Sequence, residues 1–207
     1  YLLQDRIVNE CLETLVLNID FETTLGEIIP HLGRELGVCC CALYRYEKTA
    51  RQLVCIRKWT TLTPEEDVGF LEVIDGHNYP ASFHVLCNFG ELSGRKGSPE
   101  DDPETRETNA YLAQRNAQNF TSVPIRFQGE YWGNVYMEFD DEIDFDEAEM
   151  RMVRSTARII EILLEREQIQ SQLVRSEAEK NMIWEMLTIP LLLTDLDHKV
   201  IRVNPAM

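Results

Sequence analysis

The first 37 residues carry apolar positions at helical spacing. Residues 1–17 place an apolar residue on every third or fourth position and predict an amphipathic helix, with Leu3, Ile7, Cys11 and Leu15 forming the stripe. A second helix is predicted from Thr24, because Thr24 and Glu27 have the spacing of a capping box. Gly37 suits its end, and Pro30 predicts a kink within it.

From residue 38 onward, the pattern of apolar residues changes from one typical of helices to one typical of strands. Residues 38–46 and 52–60 are rich in β-branched, aromatic and cysteine side chains and predict two strands. Residues 83–89 are a weaker strand candidate, and the polar, acidic residues 94–107 are typical of a surface loop. Asp102 followed by Pro103 predicts a helix start, with the helix running to about residue 115.

Residues 121–127 and 133–139 both alternate between apolar and polar positions, and residues 128–130 between them predict a hairpin. Consecutive strands with separate helices favour an α+β domain, which we expect to be an antiparallel sheet with helices on one side. The sequence shows no internal repeat.

The C-terminal part predicts one long helix from Asp146 to about residue 188. Asp146 and Glu149 have capping-box spacing at its start. Residues 191–207 then predict two short strands joined by a turn. A compact domain, a long helix and the start of another domain form the layout of a relay, so we expect a protein that reports a signal.

Composition and charge exclude several classes of protein. The 207 residues are 44% hydrophobic and 27% charged, which is typical of a globular chain. No apolar run approaches the roughly 20 residues that cross a bilayer, so we expect a cytoplasmic fragment without membrane contact. The net charge of -16 argues against binding of nucleic acids.

Residues from about 20 to 167 resemble a GAF domain. The resemblance rests on the opening helix Thr24-Leu25-Gly26-Glu27-Ile28-Ile29, on Ser122-Val123-Pro124-Ile125, Gly129 and Gly133-Asn134-Val135-Tyr136-Met137, and on Phe145 before an amphipathic helix. It implies a GAF-like antiparallel sheet extended by a C-terminal signalling helix, and a ligand pocket between the sheet and a covering segment.

The C-terminal segment resembles the first two strands of a PAS domain, through Leu192-Leu193-Thr194-Asp195-Leu196-Asp197 and Lys199-Val200-Ile201-Arg202-Val203-Asn204-Pro205-Ala206. We therefore divide the chain into an N-terminal helix (1–19), a GAF-like sensor domain (20–165), a coiled-coil linker (166–188) and a truncated PAS start (189–207). This order is similar to the input region of bacterial sensor histidine kinases, and it also occurs in diguanylate cyclases.

The long helix carries a heptad seam with alternating spacings of four and three residues. Its apolar members are Ile162, Ile169, Leu173, Ile183 and Leu187, and the intervening members are polar. Residues beyond about 166 have no domain in this chain to cover them, so we expect a parallel homodimer through this helix. Downstream PAS and kinase domains would be partners in cis.

No residue pattern predicts a catalytic or metal site. Cys39, Cys40 and Cys41 are expected to be buried core residues, and no CxxC pair is present. His77 and His84 lack ligand spacing, and Cys87 is followed by Asn88 where bilin-binding relatives have a His. The cysteines of the related free-methionine-sulfoxide reductases are also missing at residues 119–122.

We expect a sensory GAF module of a two-component sensor histidine kinase that either binds a small ligand or relays a signal through the dimeric helix to downstream PAS and kinase domains. The sequence identifies no cofactor. The candidate pocket residues are Cys41, Cys55, Trp59, Phe83, Cys87, Tyr111 and Ser122. The open alternatives are a dimerisation scaffold without a ligand, the input module of a diguanylate cyclase, and a small reductase.

Overall fold

The structure is a computed structural model that describes residues 21–67, 69–115, 117–140 and 145–206. The predicted helix over residues 1–19 lies outside the described residues. The chain divides into two compact units, with the boundary between Leu164 and Glu165. None of the helices in the described ranges has the length and apolar character to span a membrane.

The described residues form four helices and eight strands. Their bounds in chain order are α1 (Phe21–Leu36), β1 (Cys40–Glu47), β2 (Gln52–Thr60), β3 (Val73–Asp75), α2 (Pro80–Asn88), β4 (Leu92–Arg95), α3 (Pro103–Leu112), β5 (Asn119–Phe127), β6 (Glu130–Phe139), α4 (Glu147–Met186), β7 (Leu192–Thr194) and β8 (Val200–Val203).

The first six strands form one antiparallel sheet in the order β3-β2-β1-β6-β5-β4. Strands β1 and β6 occupy its centre. The β5–β6 connection is tight because Gln128 and Gly129 both have positive φ, as in a type I′ turn. The predicted α+β antiparallel fold with a long C-terminal helix is therefore confirmed.

Helices cover both faces of this sheet rather than one. Successive strand residues point to opposite faces, so Cys41 and Leu43 join a cluster with α1 and α4, whereas Ala42 and Tyr44 join a cluster with α2 and α3. The expectation of helices on one side missed the second layer because residues 83–89, predicted as a strand, belong to helix α2.

Several element boundaries follow the predicted local signals. Asp102 accepts a hydrogen bond from the Thr105 N–H at 2.7 Å and caps α3. At the start of α4, the Asp146 side chain accepts the Glu149 N–H and the Glu149 side chain accepts the Asp146 N–H, both at 2.8 Å. Pro30 lies inside α1, which continues to Leu36.

Strands β3 and β4 were not predicted, because both are short and lie at the edges of the sheet.

A buried carboxylate on central strand β6 joins three parts of the fold. The Glu138 side chain is fully buried and accepts a 2.7 Å bond from Arg115 Nε, together with a second bond from the same guanidinium. It also accepts bonds from the hydroxyls of Tyr136 at 2.6 Å and Tyr111 at 3.1 Å. A buried charge is tolerated only when it is paired and hydrogen-bonded in this way, so the cluster fixes α3 against β6.

The same guanidinium binds the loop that follows β2. Arg115 donates to Asp67 at 3.1 Å, and Lys58 forms an ion pair with the other carboxylate oxygen of Asp67. The Lys58 ammonium lies 3.7 Å from the centroid of the Phe70 ring. The loop is therefore held over the same face of the sheet as α2 and α3.

In the second unit, β7 and β8 form an antiparallel hairpin, as the alternation after the long helix predicts. Asn204 is buried and holds the segment between α4 and β7. Its amide donates to the carbonyls of Leu187 at 3.1 Å and Ile189 at 2.9 Å, and its side-chain oxygen accepts the Leu191 N–H at 2.8 Å. These three bonds fix the segment that connects the helix to the hairpin.

Gly133 is required where β6 meets β1. A Cβ built on Gly133 would overlap the carbonyl oxygen of Tyr44, which is backbone and cannot yield. We expect Gly133→Ala to lower the free energy of unfolding by about 1–3 kcal/mol, measured by urea denaturation. Gly26→Ala is the matched control: its added Cβ meets no atom within 4 Å at an exposed position of helix α1, and the substitution should stabilise the fold by up to about 1 kcal/mol. A Gly133→Ala protein as stable as the wild type would contradict this account.

Removing the guanidinium from the buried cluster should cost far more than removing an exposed cation. We expect Arg115→Met to lower the free energy of unfolding by about 3–5 kcal/mol, because the Glu138 carboxylate would stay buried without its partner. Lys48→Met is the control, since the Lys48–Glu130 pair is about three-quarters exposed and should contribute at most about 1 kcal/mol. Equal losses in the two variants, in the same denaturation experiment, would show that the buried pair does not hold α3.

Candidate functional site

A cavity of about 50 Å³ lies between the sheet and helices α2 and α3 in the first unit. Strands β2 to β6 supply one wall and the two helices supply the other. Its lining residues are Leu53, Ile74, Tyr79, Ser82, Phe83, Leu86, Leu92, Glu107, Thr108, Tyr111, Phe120, Ser122, Asn134 and Tyr136. One water requires roughly 10–15 Å³, so the cavity has room for a few waters or for one compact small molecule.

Aromatic rings form much of the wall. The Tyr111 ring lies edge-on to Phe120 at 5.8 Å between centroids and edge-on to Tyr136 at 6.1 Å. Phe120 and Tyr136 are 5.5 Å apart, and Tyr79 lies 6.3 Å from Tyr111. These separations are in the range of favourable aromatic pairs, so the rings support one another and keep the wall in place.

The two tyrosine hydroxyls in the wall are already engaged by the buried carboxylate. Burial is the main reason that the pKa of both Tyr111 and Tyr136 is well above the ordinary value, and the Glu138 charge raises it further. Burial by itself would lower the pKa of Arg115, but its bonds to Glu138 outweigh burial and raise that pKa. The phenols therefore stay protonated and the guanidinium stays charged at neutral pH.

Several other polar side chains of the lining also have partners within the protein. Asn134 donates to the Ser122 hydroxyl at 2.7 Å and accepts from the Tyr131 hydroxyl at 2.9 Å. The Thr108 hydroxyl donates to the Thr105 carbonyl at 3.1 Å. These bonds satisfy polar groups that would otherwise be costly to bury.

Glu107 positions the helix that covers the cavity. Its two carboxylate oxygens accept the backbone N–H groups of Ala81 at 3.0 Å and Ser82 at 2.8 Å, in the first turn of α2. The N-cap residue Tyr79 makes no side-chain capping bond, so a carboxylate from α3 provides the cap. This long-range cap, together with Pro80 at the first helical position, explains why residues 80–88 are helical.

Three of the seven predicted pocket residues, Phe83, Tyr111 and Ser122, line the cavity. Cys55 is half-buried and packs against the same cluster, with its thiol donating to the Arg57 carbonyl at 3.3 Å. Cys87 is also half-buried on α2, and neither cysteine is among the lining residues.

Cys41 and Trp59 lie on the other face of the sheet. They are register partners in β1 and β2, so they share a face, and both pack in the cluster with α1 and α4. Trp59 covers the small surface of Gly33, where a Cβ would overlap its ring. These two residues are separated from the cavity by the sheet itself.

Sequence reasoning did not identify several residues of the site. Phe120, Asn134 and Tyr136 lie on the face that carries Ser122, and strand alternation together with the hairpin register would have indicated them. Glu107 and Arg115 gave no local signal. Both act through partners far away in sequence, namely the start of α2 and strand β6.

The cysteines of the described residues are poor nucleophiles. Burial raises the pKa of Cys40 to about 12 and that of Cys55 to about 11, and burial also raises the pKa of Cys87. Thiols in this state stay protonated at neutral pH. Within the described ranges, no group of three or more His, Cys, Asp or Glu side chains is placed to hold a metal ion.

Solved structures with the same fold come from several signalling proteins. The phycoerythrobilin-bound GAF domain of a cyanobacterial phytochrome has a TM-score of 0.69 at 10% identity, covering 82% of this chain and 98% of that one. A GAF domain/HD domain protein from Geobacter sulfurreducens has a TM-score of 0.57 at 19% identity, covering 73% and 96%. At these identities the similarity shows the fold alone.

A domain of a candidate two-component sensor histidine kinase from Sinorhizobium meliloti 1021 is also similar. Its TM-score is 0.52 at 13% identity, with coverage of 72% of this chain and 92% of that one. No curated protein matches the chain. The family model described as "GAF domain" matches residues 20–164, which is more than half of the 207 residues. The chain belongs to the GAF domain family.

Proposed function

We propose that this chain is the sensory module of a two-component sensor histidine kinase, in which a small molecule held in the cavity biases a dimeric helix. The observation that carries the proposal is the change in helix α4 along its length. Its buried residues, from Met152 to Leu163, contribute to the GAF core, whereas most apolar side chains beyond Leu164, such as Ile169, Leu173 and Ile183, are exposed. Exposed apolar side chains at regular spacing are typical of an interaction surface.

The exposed apolar side chains include those of the predicted heptad seam, although Val174, Met182 and Met186 are exposed off the seam. Ile169, Leu173 and Ile183 are each more than half exposed, and Ile162 and Leu187 are exposed to a lesser degree. A second copy of the same helix would cover them in a parallel coiled coil. Polar residues at the intervening seam positions make such a coil marginal, and a marginal coil is readily biased by differential ligand binding.

The connection after the helix supports a relay. Asn204 holds the segment between α4 and β7 through three side-chain bonds. Arg202 on β8 donates to Asn181 at 2.7 Å, and its guanidinium lies 5.3 Å from the Trp184 ring. A rotation of the helix would therefore carry the hairpin with it. We propose that this hairpin is the start of a PAS domain.

The kinase assignment rests on the order of elements and on the Sinorhizobium meliloti 1021 neighbour. A GAF domain, a dimeric helix and a PAS start are arranged as in the input regions of such kinases. The same order is compatible with the input module of a diguanylate cyclase. In either case, the kinase or cyclase activity would reside in other domains of the same protein.

One observation favours a second function, a dimerisation scaffold without a ligand. The side chains of Tyr111, Tyr136 and Asn134 are already hydrogen-bonded within the protein, so these groups do not require a ligand. A cysteine-dependent reductase has less support, because the cysteines of the described residues lie outside the cavity lining and burial raises the pKa of Cys40, Cys55 and Cys87.

The seam gives a direct test of the dimer. We expect the chain to be a dimer by native mass spectrometry and light scattering. Leu173→Glu should raise the dimer dissociation constant by at least about 100-fold, because each copy loses the burial of a leucine and places a carboxylate in the interface.

Val174→Glu is the matched control, since Val174 is as exposed as Leu173 (61% and 58%) but lies one position off the seam. It should leave the dissociation constant within about threefold of the wild type, as expected for a residue outside the interface. A wild-type monomer, or equal effects of the two variants, would remove the helix from the proposed relay.

Native mass spectrometry of the purified protein separates sensor from scaffold. We expect an additional mass under native conditions that is lost on denaturation, because a noncovalent ligand in a cavity is released when α2 and α3 leave the sheet. If extraction and repeated preparation yield no such mass, and filling the cavity with Ser82→Leu leaves signalling output unchanged, the scaffold function is favoured.

A further inference from the structure

From the way its lining is hydrogen-bonded, we infer that the cavity selects compact, uncharged and predominantly apolar molecules, of the size of a single ring, and rejects anions. This inference rests on the proposed sensory function and names the ligand class of that same site. It depends on the lining residues, on the partners of their polar groups and on the size of the space.

The lining offers no cation to an acidic ligand. No Lys, Arg or His is among its members, and its one carboxylic acid, Glu107, accepts two N–H groups of α2. The nearby cations Lys58 and Arg115 do not line the cavity and are paired with Asp67 and Glu138. An anion entering the cavity would lose its hydration without gaining a counter-charge, which is costly.

Strongly polar neutral ligands also gain little. The hydroxyl protons of Tyr111 and Tyr136 are directed to Glu138, and Asn134 is engaged by Ser122 and Tyr131. A polar ligand must either break these bonds or enter with its own groups unpaired, and each option costs free energy. Apolar surface pays no such penalty and gains contact with the aromatic wall.

The volume sets an upper limit on size. A space of about 50 Å³ is smaller than the roughly 150 Å³ of an engineered apolar cavity that binds benzene, so even one ring requires a small outward shift of α2. Four-ring chromophores exceed it. The need for such a shift gives the ligand a mechanical effect, because α2 is attached to α3 through Glu107 and α3 is attached to β6 through Glu138.

Benzene, phenol and benzoate are suitable probes because they share a ring and differ in polarity and charge. Each is titrated into the full chain, with binding read from amide NMR shifts and from the unfolding temperature. We expect saturable binding of benzene, binding of phenol that is no tighter, and binding of benzoate at least about tenfold weaker than that of benzene, because of the cost of burying its carboxylate.

Ser82→Leu places extra side-chain volume in the cavity and should weaken benzene binding at least about tenfold, since the ring and the leucine compete for one space. Ser93→Leu is the matched control, because Ser93 undergoes the same exchange on exposed strand β4 outside the lining. It should bind benzene as the wild type does.

Benzoate binding equal to or tighter than benzene binding would overturn the ligand class and leave the proposed sensor intact. Equal binding of benzene to Ser82→Leu and to the wild type would also overturn the ligand class and leave the proposed sensor intact. Absence of any saturable benzene binding to the wild-type chain also overturns the inference, and it does so even if Ser82→Leu fails to fold. Failure of the proposed function itself is detected separately, by a monomeric wild-type chain.

Discussion

The buried Glu138 carboxylate is the interaction on which the rest of the first unit depends. It lies on a central strand, where it cannot reach water, and its charge must therefore be compensated by protein groups. Arg115 supplies the opposite charge, and Tyr111 and Tyr136 supply hydroxyl donors. Each of these partners belongs to a part of the fold that borders the cavity, so satisfying one charge also positions the site.

This arrangement has consequences for a signalling role. Helix α3 is connected to the sheet through Tyr111, the turn after it is connected through Arg115, and Glu107 connects the helix to α2. The cover of the cavity is therefore joined to the sheet by directional bonds, which have preferred geometries, rather than by apolar packing alone. Apolar packing joins the opposite face to α1 and the first part of α4. A ligand that shifts α2 would act on strands that contact α4 on their other side.

The two faces of the sheet thus differ in chemistry. The face with α1 and α4 is an aliphatic core, with residues such as Leu43, Val135 and Ile160. The opposite face is rich in aromatic and polar groups that are hydrogen-bonded to one another. The first composition suits a rigid foundation for the helix, and the second suits a small cavity whose walls keep their shape without a ligand.

Local sequence signals determined a large part of this protein. The β5–β6 hairpin, the caps at Asp102 and Asp146, and the length of α4 follow from turn residues, capping side chains and periodicity, which act within a few residues. The same signals carried the resemblance to the GAF family, which the match over residues 20–164 establishes.

Only the tertiary structure decided which residues meet at the cavity. Residues 83–89 were predicted as a strand, but residues 80–88 are helical, and Glu107, more than twenty residues away, caps this helix. Cys41 and Trp59 lie on the opposite face because strand register, set by pairing with distant strands, assigns each residue to one side. Arg115 and Glu138 meet only in the folded chain. The sequence by itself therefore determined the elements and the family, whereas long-range pairing determined the site, because a buried charge and a strand face are properties of the assembled sheet.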